Sequence, residues 1–160
     1  MTIKVGDKLP NGTLYEMGED GPKPVSVADL TQGKRIVFFG LPGAFTPTCS
    51  ALHVPGYVAQ ADLIKAKGID QIVCVSVNDA FVMGAWAKDQ KTGDQVRLLG
   101  DGSGLWTKAL GLELDLVERG LGLRCERFSM LVEDGKVKSL NVEAPGKFEV
   151  SDAQTMLKSL

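Results

Sequence analysis

Cys49 closes a stretch, Phe38-Phe39-Gly40-Leu41-Pro42-Gly43-Ala44-Phe45-Thr46-Pro47-Thr48-Cys49, whose residue types suit a reactive thiol. The apolar run Ile36 to Phe39 stops at Gly40, and two prolines and two glycines then hold a tight loop. That loop delivers Cys49 to the first turn of a predicted helix. Unpaired N–H groups and the helix dipole favour negative charge there, and the thiolate is the nucleophilic form of cysteine. Free cysteines are also among the most buried and inert side chains. Here the flanking residues are turn formers rather than core formers, which favours the reactive reading. His53, the only histidine, follows Cys49 by four and shares its helical face. Two roles stand for it: a base or hydrogen-bond partner of the thiol, and a packed histidine ahead of Pro55. The weight lies with packing, because a helix terminus already activates the thiol.

Other chemistries drawn from the same residues are weaker. A Cys-His hydrolase built on Cys49 and His53 has its base only one helical turn away and no evident third residue to orient it. A zinc module would need the three cysteines and His53 to converge, and no C-x₂₋₄-C knuckle exists. No metal or cofactor is expected.

The elements that must position Cys49 follow from length and pattern. At 160 residues the chain is read as one domain, 1–160, with a sizeable core. It is 44% hydrophobic and 24% charged, ordinary for a globular protein. A net charge of −2 with scattered Lys and Arg gives no reason to expect nucleic acid or an anionic membrane as partner. Apolar runs are only a few residues long, too short for a membrane span, and the N-terminal residues lack a signal-peptide core, so a cytoplasmic protein is expected. Three widely spaced cysteines without a C-x-x-C give neither a disulfide framework nor a dithiol motif.

In order, the chain predicts a short strand near Thr13 to Met17, a turn at Glu19-Asp20-Gly21-Pro22, and a brief helical turn from Val27 capped by Ser26. Lys34 to Phe39 reads as a central strand. A helix from Cys49 to Lys67 should kink at Pro55, which has no N–H to donate, and stop at Gly68. Ile69 to Val77 is a second buried strand, and Asn78-Asp79 caps a helix over Ala80 to Lys91. Phe81, Val82, Ala85 and Trp86 give that helix a predicted core face. Gln95 to Leu99 is a third strand, and Leu105 to Leu110 a short helix. Leu112 to Leu123 reads as irregular. Arg124 to Val132 and Lys136 to Val142 are strands joined by a Glu133-Asp134-Gly135 hairpin turn. Ser151 is expected to cap a last helix, with Gln154 completing a capping box. This order predicts an α/β, thioredoxin-like fold: a central mixed β-sheet flanked by helices.

Pro42-x-x-x-Thr46-x-x-Cys49 resembles the active-site signature of the peroxiredoxins, and the full Pro-Gly-Ala-Phe-Thr-Pro-Thr-Cys run is similar to their type II, peroxiredoxin-5-like branch. The likeness spans most of the chain through His53-Val54-Pro55-Gly56-Tyr57, Ser76-Val77-Asn78-Asp79, Asp101-Gly102-Ser103-Gly104, Arg127-Phe128-Ser129 and Asn141-Val142-Glu143. It implies a thiol peroxidase for hydrogen peroxide and alkyl hydroperoxides, active without metal or haem. Cys49 would be the peroxidatic cysteine and Thr46 would hydrogen-bond the peroxide. Pro42 would shield the site from water, and Arg127 would reach the thiolate. The backbone N–H groups of Thr48 and Cys49 would help bind the peroxide oxygens. A homodimer is implied as well. On sequence alone Arg127 is a surface strand arginine, and Arg124, three residues earlier, should point to the opposite face.

Elementary arithmetic says where the rate must originate. An ordinary thiol of pKa about 8.5 is already about 3% thiolate at pH 7, so full ionisation gains roughly 30-fold. Nucleophilicity falls with pKa along a slope of about 0.4–0.5, which returns most of that gain. The remainder must come from aligning the O–O bond and stabilising charge on the departing oxygen.

The sulfenic acid left on Cys49 must then be recycled. Cys74 follows by 25 residues, a spacing shared with plant members of the branch whose second cysteine can resolve. It also sits within Ile72-Val73-Cys74-Val75-Ser76-Val77, a central-strand pattern from which a disulfide would require unwinding the Cys49 helix. The expected route is therefore resolution by glutathione, with or without glutaredoxin. A Cys49–Cys74 disulfide reduced by thioredoxin is the alternative. Cys125 is expected to pack or face solvent.

Overall fold

The computed structural model describes residues 2–160. Its elements are β1 (Thr13–Gly18), β2 (Gly21–Ser26), α1 (Val27–Thr31), β3 (Arg35–Gly40), a π-turn (Cys49–His53), α2 (Val54–Ala66), β4 (Gln71–Ser76), α3 (Ala80–Gln90), β5 (Arg97–Gly100), α4 (Leu105–Leu110), β6 (Glu113–Leu116), a 3₁₀ turn (Val117–Arg119), β7 (Gly122–Cys125), β8 (Phe128–Glu133), β9 (Lys136–Val142) and α5 (Ala153–Ser159). Seven strands form one sheet in the order β2-β1-β5-β4-β3-β8-β9; β6 and β7 form a separate ribbon. The three central strands β5, β4 and β3 are parallel and the flanking ones antiparallel. This is the mixed sheet of a thioredoxin-like fold.

Central strands covered on both faces read as nearly continuous apolar runs, and their alternation sorts residues between two cores. Ile36 and Phe38 of β3, Val73 and Val75 of β4, and Phe128, Met130 and Val132 of β8 pack with α1 and α4. Val37, Phe39, Ile72, Cys74 and Leu131 point the other way, against α2, α3 and α5. Cys49 belongs to this second core. In the register, Phe39 of β3 lies between Cys74 of β4 and Ser129 of β8. The sheet face beneath Cys49 thus carries Cys74, Phe39 and Ser129 side by side.

Several local expectations are corrected. Gly21–Ser26 is a strand, not the tail of a turn; its prolines Pro22 and Pro24 sit on the edge strand, where a missing N–H breaks no ladder. Glu113-Leu114-Asp115-Leu116 alternates charged and apolar residues and pairs with Gly122–Cys125, so the stretch read as irregular holds a β-ribbon. The strand expected from Arg124 to Val132 breaks at Glu126-Arg127, leaving β7 in the ribbon and β8 in the main sheet. On α3 the buried residues are Ala80, Met83 and Trp86, whereas Phe81 is 64% exposed. The last helix is capped by Asp152, whose side chain accepts from the Thr155 N–H; Ser151 is buried one residue earlier and serves elsewhere.

The kink expected at Pro55 takes the form of a widened turn before it. Val54 N–H donates to Cys49 O, a five-residue span, and α2 then starts with Pro55 in its first turn. Pro55 cannot donate to the carbonyl one α-turn back, so the chain widens where that bond is missing. α2 ends at Ala66, and Gly68 follows with φ +89°, in the left-handed region that suits glycine after a helix.

Candidate active site

The site is built where β3 ends. Gly40 pairs with Phe128, and any side chain at Gly40 would strike the Phe128 ring. The loop that follows is tied at three points. Leu41 N–H donates to Val75 O (3.3 Å). Ala44 N–H donates to Asn78 Oδ1 (3.0 Å), which also accepts from Ser76 Oγ (2.6 Å). Arg124 Nη1 donates to Pro42 O (3.0 Å) and its Nε to Leu121 O (2.8 Å). Arg124 therefore does not point away from the site. The break at Glu126-Arg127 interrupts the alternation that predicted this, so Arg124 reaches the loop while Arg127 reaches the π-turn that follows it. A side chain at Gly43 would occupy the place of the Arg124 guanidinium.

Phe45 takes a left-handed φ of +63°, uncommon for an aromatic residue, and the chain then enters its helical turn at Pro47. Ser50 N–H donates to Thr46 O (2.9 Å), the first bond of that turn. Proline at the first helical position costs nothing, since that N–H would be unpaired anyway. Thr48 and Cys49 follow within the turn whose N–H groups lack intrahelical acceptors. The Thr46 hydroxyl donates to Gly43 O (2.7 Å), which leaves its lone pairs free to accept. Ser50 Oγ accepts from Trp86 Nε1 (3.0 Å), fixing the turn to α3.

Cys49 is fully buried, and Arg127 Nη2 donates to its Sγ at 3.2 Å. Arg127 Nη1 meets His53 Nδ1 at 2.9 Å. A guanidinium can only donate, so Nδ1 is the bare nitrogen and Nε2 carries the proton. Nε2 donates in turn to Ser151 O at 3.1 Å. Burial, and then the Arg127 charge, push the His53 pKa down to about 3. His53 is thus a neutral acceptor that aims the arginine. It touches the site rather than merely packing, and with Nδ1 occupied it has no lone pair to act as a base, which removes the Cys-His hydrolase reading.

The rest of the pocket braces these groups. Phe39 stacks flat on Tyr57 at 4.0 Å and tilts against His53 at 4.8 Å. Phe148 lies edge-on to His53 at 5.0 Å and beneath the Arg127 guanidinium at 5.7 Å. A cavity of about 130 Å³ opens beside them, lined among others by Pro42, Thr48, Arg127, Glu143 and Lys147.

Cys74 and Cys125 make none of these bonds to the centre. Cys74 is fully buried in mid-strand, paired with Phe39 on one side and Leu98 on the other. Burial, and then its neighbour Cys49, hold its thiol well above the ordinary range. Cys125 belongs to the opposite core. Two cysteines on one face of the sheet and one on the other form no Cys₃His centre, which removes the zinc reading.

Arg124, Asn78 and Ser151 are site residues that local pattern does not reveal, since each holds a partner far away in the chain, and the Glu143 carboxylate instead gathers nearby amides in a segment without helix or strand. Asn78 did stand in a recognisable run, as a helix-cap candidate; the cap is Asp79, and Asn78 holds the loop.

A Redoxin family model matches residues 4–157. Peroxiredoxin-2C of Oryza sativa subsp. japonica is 54% identical over 159 residues, covering 99% of this chain and 98% of that protein. Reduced Prx3 of Vibrio vulnificus in complex with hydrogen peroxide superposes with a TM-score of 0.95 at 49% identity, over 99% of each chain. Peroxiredoxin 5 of Alvinella pompejana superposes with a TM-score of 0.86 at 35% identity, over 98% of this chain and 97% of that one.

Proposed function

The chain belongs to the Redoxin family, as a type II peroxiredoxin and so a thiol peroxidase, and on that premise we propose that Cys49 is its peroxidatic cysteine, recycled by glutathione with or without glutaredoxin. The Cys49 thiolate attacks one oxygen of a hydroperoxide. An S–O bond forms, the O–O bond breaks, and the departing oxygen leaves as water or an alcohol once protonated. Hydrogen peroxide and alkyl hydroperoxides are the proposed substrates.

The observation that carries this is the donor geometry at sulfur: Arg127 at 3.2 Å, held by a neutral His53. Arg127 also lines the cavity through which a peroxide would arrive. Its planar fork can serve sulfur and a peroxide oxygen together as charge moves between them. The Thr46 lone pairs suit a peroxide O–H, and the N–H groups of Thr48 and Cys49 suit a developing oxyanion. Pro42, on the cavity wall, would limit water.

For recycling, a glutathione thiolate attacks the sulfenic sulfur: an S–S bond forms, the S–O bond breaks, and the hydroxide leaves as water once protonated. A second glutathione, or glutaredoxin, then frees Cys49 from the mixed disulfide. The position of Cys74 supports this route, because a buried thiol on a strand paired along both edges is a poor attacking group. Thioredoxin acting on a Cys49–Cys74 disulfide is the second reading, favoured by the placement of both thiols in one core. We place the protein in the cytoplasm, a reducing compartment that suits three unpaired thiols. A homodimer is also proposed. Phe45, Phe81 and Leu105 are exposed apolar side chains, on the loop and on the helices that follow β4 and β5, which a second copy would cover.

Peroxide consumption by the unaltered protein, with glutathione and glutaredoxin or with thioredoxin as donor, tests the reading. Cys74→Ser should retain turnover with glutathione; its loss would transfer the assignment to the disulfide route.

A further inference from the structure

We infer that Glu143 is a positioning residue for the peroxide reaction: its carboxylate fixes the Ser151 carbonyl, which holds His53 and through it aims Arg127 at Cys49. This rests on the peroxidase reading above. Glu143 is 7% exposed and lies just past β9. Its carboxylate gathers five contacts from the irregular segment that follows. Glu149 N–H reaches both oxygens (3.0 and 2.9 Å), and Val150 N–H (2.9 Å), Ser151 N–H (2.8 Å) and Ser151 Oγ–H (2.7 Å) donate to Oε2. A segment without helix or strand has no other acceptor for these amides, so the carboxylate sets its course.

That course ends at one carbonyl. Ser151 O accepts from His53 Nε2–H at 3.1 Å and from Tyr57 O–H at 2.9 Å. The contact selects the His53 tautomer. With the proton on Nε2, the bare Nδ1 can receive Arg127. With the proton on Nδ1, two donors would face each other and the guanidinium would leave its place at sulfur. The links also close on themselves, because Glu143 N–H donates to Arg127 O at 2.9 Å. Glu143 therefore grips both the backbone of Arg127 and, through Ser151 and His53, its side chain. Burial works against the charge on Glu143, but the Ser151 hydroxyl and the three amides outweigh it and hold its pKa below the usual carboxylate range.

The test uses the single histidine, which gives one set of imidazole ¹⁵N signals. In the unaltered protein the proton should reside on Nε2 at neutral pH. A proton on Nδ1 overturns the inference whatever the variants do. Glu143→Gln keeps the shape but removes the charge, and its N–H₂ group can accept from none of the donors that ring the carboxylate. It should lower the rate constant of Cys49 with hydrogen peroxide about 10-fold, the equivalent of one displaced charge-assisted hydrogen bond. It should also mix the two tautomers of His53. Alkylation of Cys49 by iodoacetamide, which has no O–O bond to align, should change less than about 2-fold. Equal losses in both reactions, or an unchanged tautomer with an unchanged peroxide rate, overturn the inference. If Glu143→Gln does not fold, Ser151→Ala removes one of the five contacts, and the same split between the two reactions, smaller in size, is required. A wild-type protein that consumes no peroxide would instead defeat the peroxidase reading itself.

Discussion

Cys49 and Cys74 are both fully buried, both in the core between the sheet and α2, and differ in everything else that matters to a thiol. Cys49 stands in a helical turn with an arginine donor 3.2 Å from its sulfur. Cys74 is locked in mid-strand, and burial drives its thiol away from ionisation. Burial, then, does not by itself tell the proposed nucleophile from a packed thiol. What separates them is whether charged donors accompany the sulfur into the interior.

The comparison breaks first at Cys49 itself. Cys49→Ser should abolish peroxide consumption, since the far less nucleophilic hydroxyl replaces the thiolate; steady turnover by the variant in a peroxide-consumption assay would refute the assignment. Next comes the donor. Arg127→Lys should cost about 10²–10³ in the stopped-flow rate constant with peroxide, because a point charge cannot serve His53 Nδ1, sulfur and a peroxide oxygen at once. A loss under about 5-fold would mean that charge alone suffices.

These two predictions concern residues that differ in how far the sequence disclosed them. The Cys49 loop was legible because its signals are local: an apolar run, glycines and prolines at fixed spacing, and a helix start. The central strands were legible for the same reason. Arg127 is recognisable only by resemblance, because a surface arginine and one that reaches a buried sulfur look alike until the fold brings residue 127 to residue 49. Arg124 was misdirected by an alternation rule that the chain abandons at Glu126. Ser151 reads as a helix cap, yet Asp152 beside it is equally able to cap, and only the partners of Ser151, nearly a hundred residues away in α2 and the π-turn, show its use. The β6–β7 ribbon did carry a local signal, the alternation in Glu113-Leu114-Asp115-Leu116, which nearby glycines obscured.

A third test sharpens the role of burial. His53 has a folded pKa of about 3, well below the usual value near 6.5. The unfolded chain therefore binds a proton that the folded one refuses, and stability must fall as pH drops from about 6.5 toward 3. Between pH 7 and pH 4.5 this contribution is about 2.5 kcal/mol at most, read from the denaturant midpoint. His53→Gln can still accept from Arg127 and donate to Ser151 O but does not titrate. It should flatten that part of the profile; an unchanged slope would show that His53 is not held neutral. The smallest effect is expected at Cys74. Cys74→Ser should alter the peroxide rate constant less than about 2-fold, because its thiol takes no part in the attack. A larger fall would make the two cysteines partners rather than opposites.

The most direct measurement is mass spectrometry of all three cysteines after one equivalent of hydrogen peroxide, with dimedone present to trap sulfenic acid. The adduct should appear on Cys49 alone, with Cys74 and Cys125 recovered as thiols. An adduct on Cys74 or Cys125 while Cys49 stays unmodified would contradict the account.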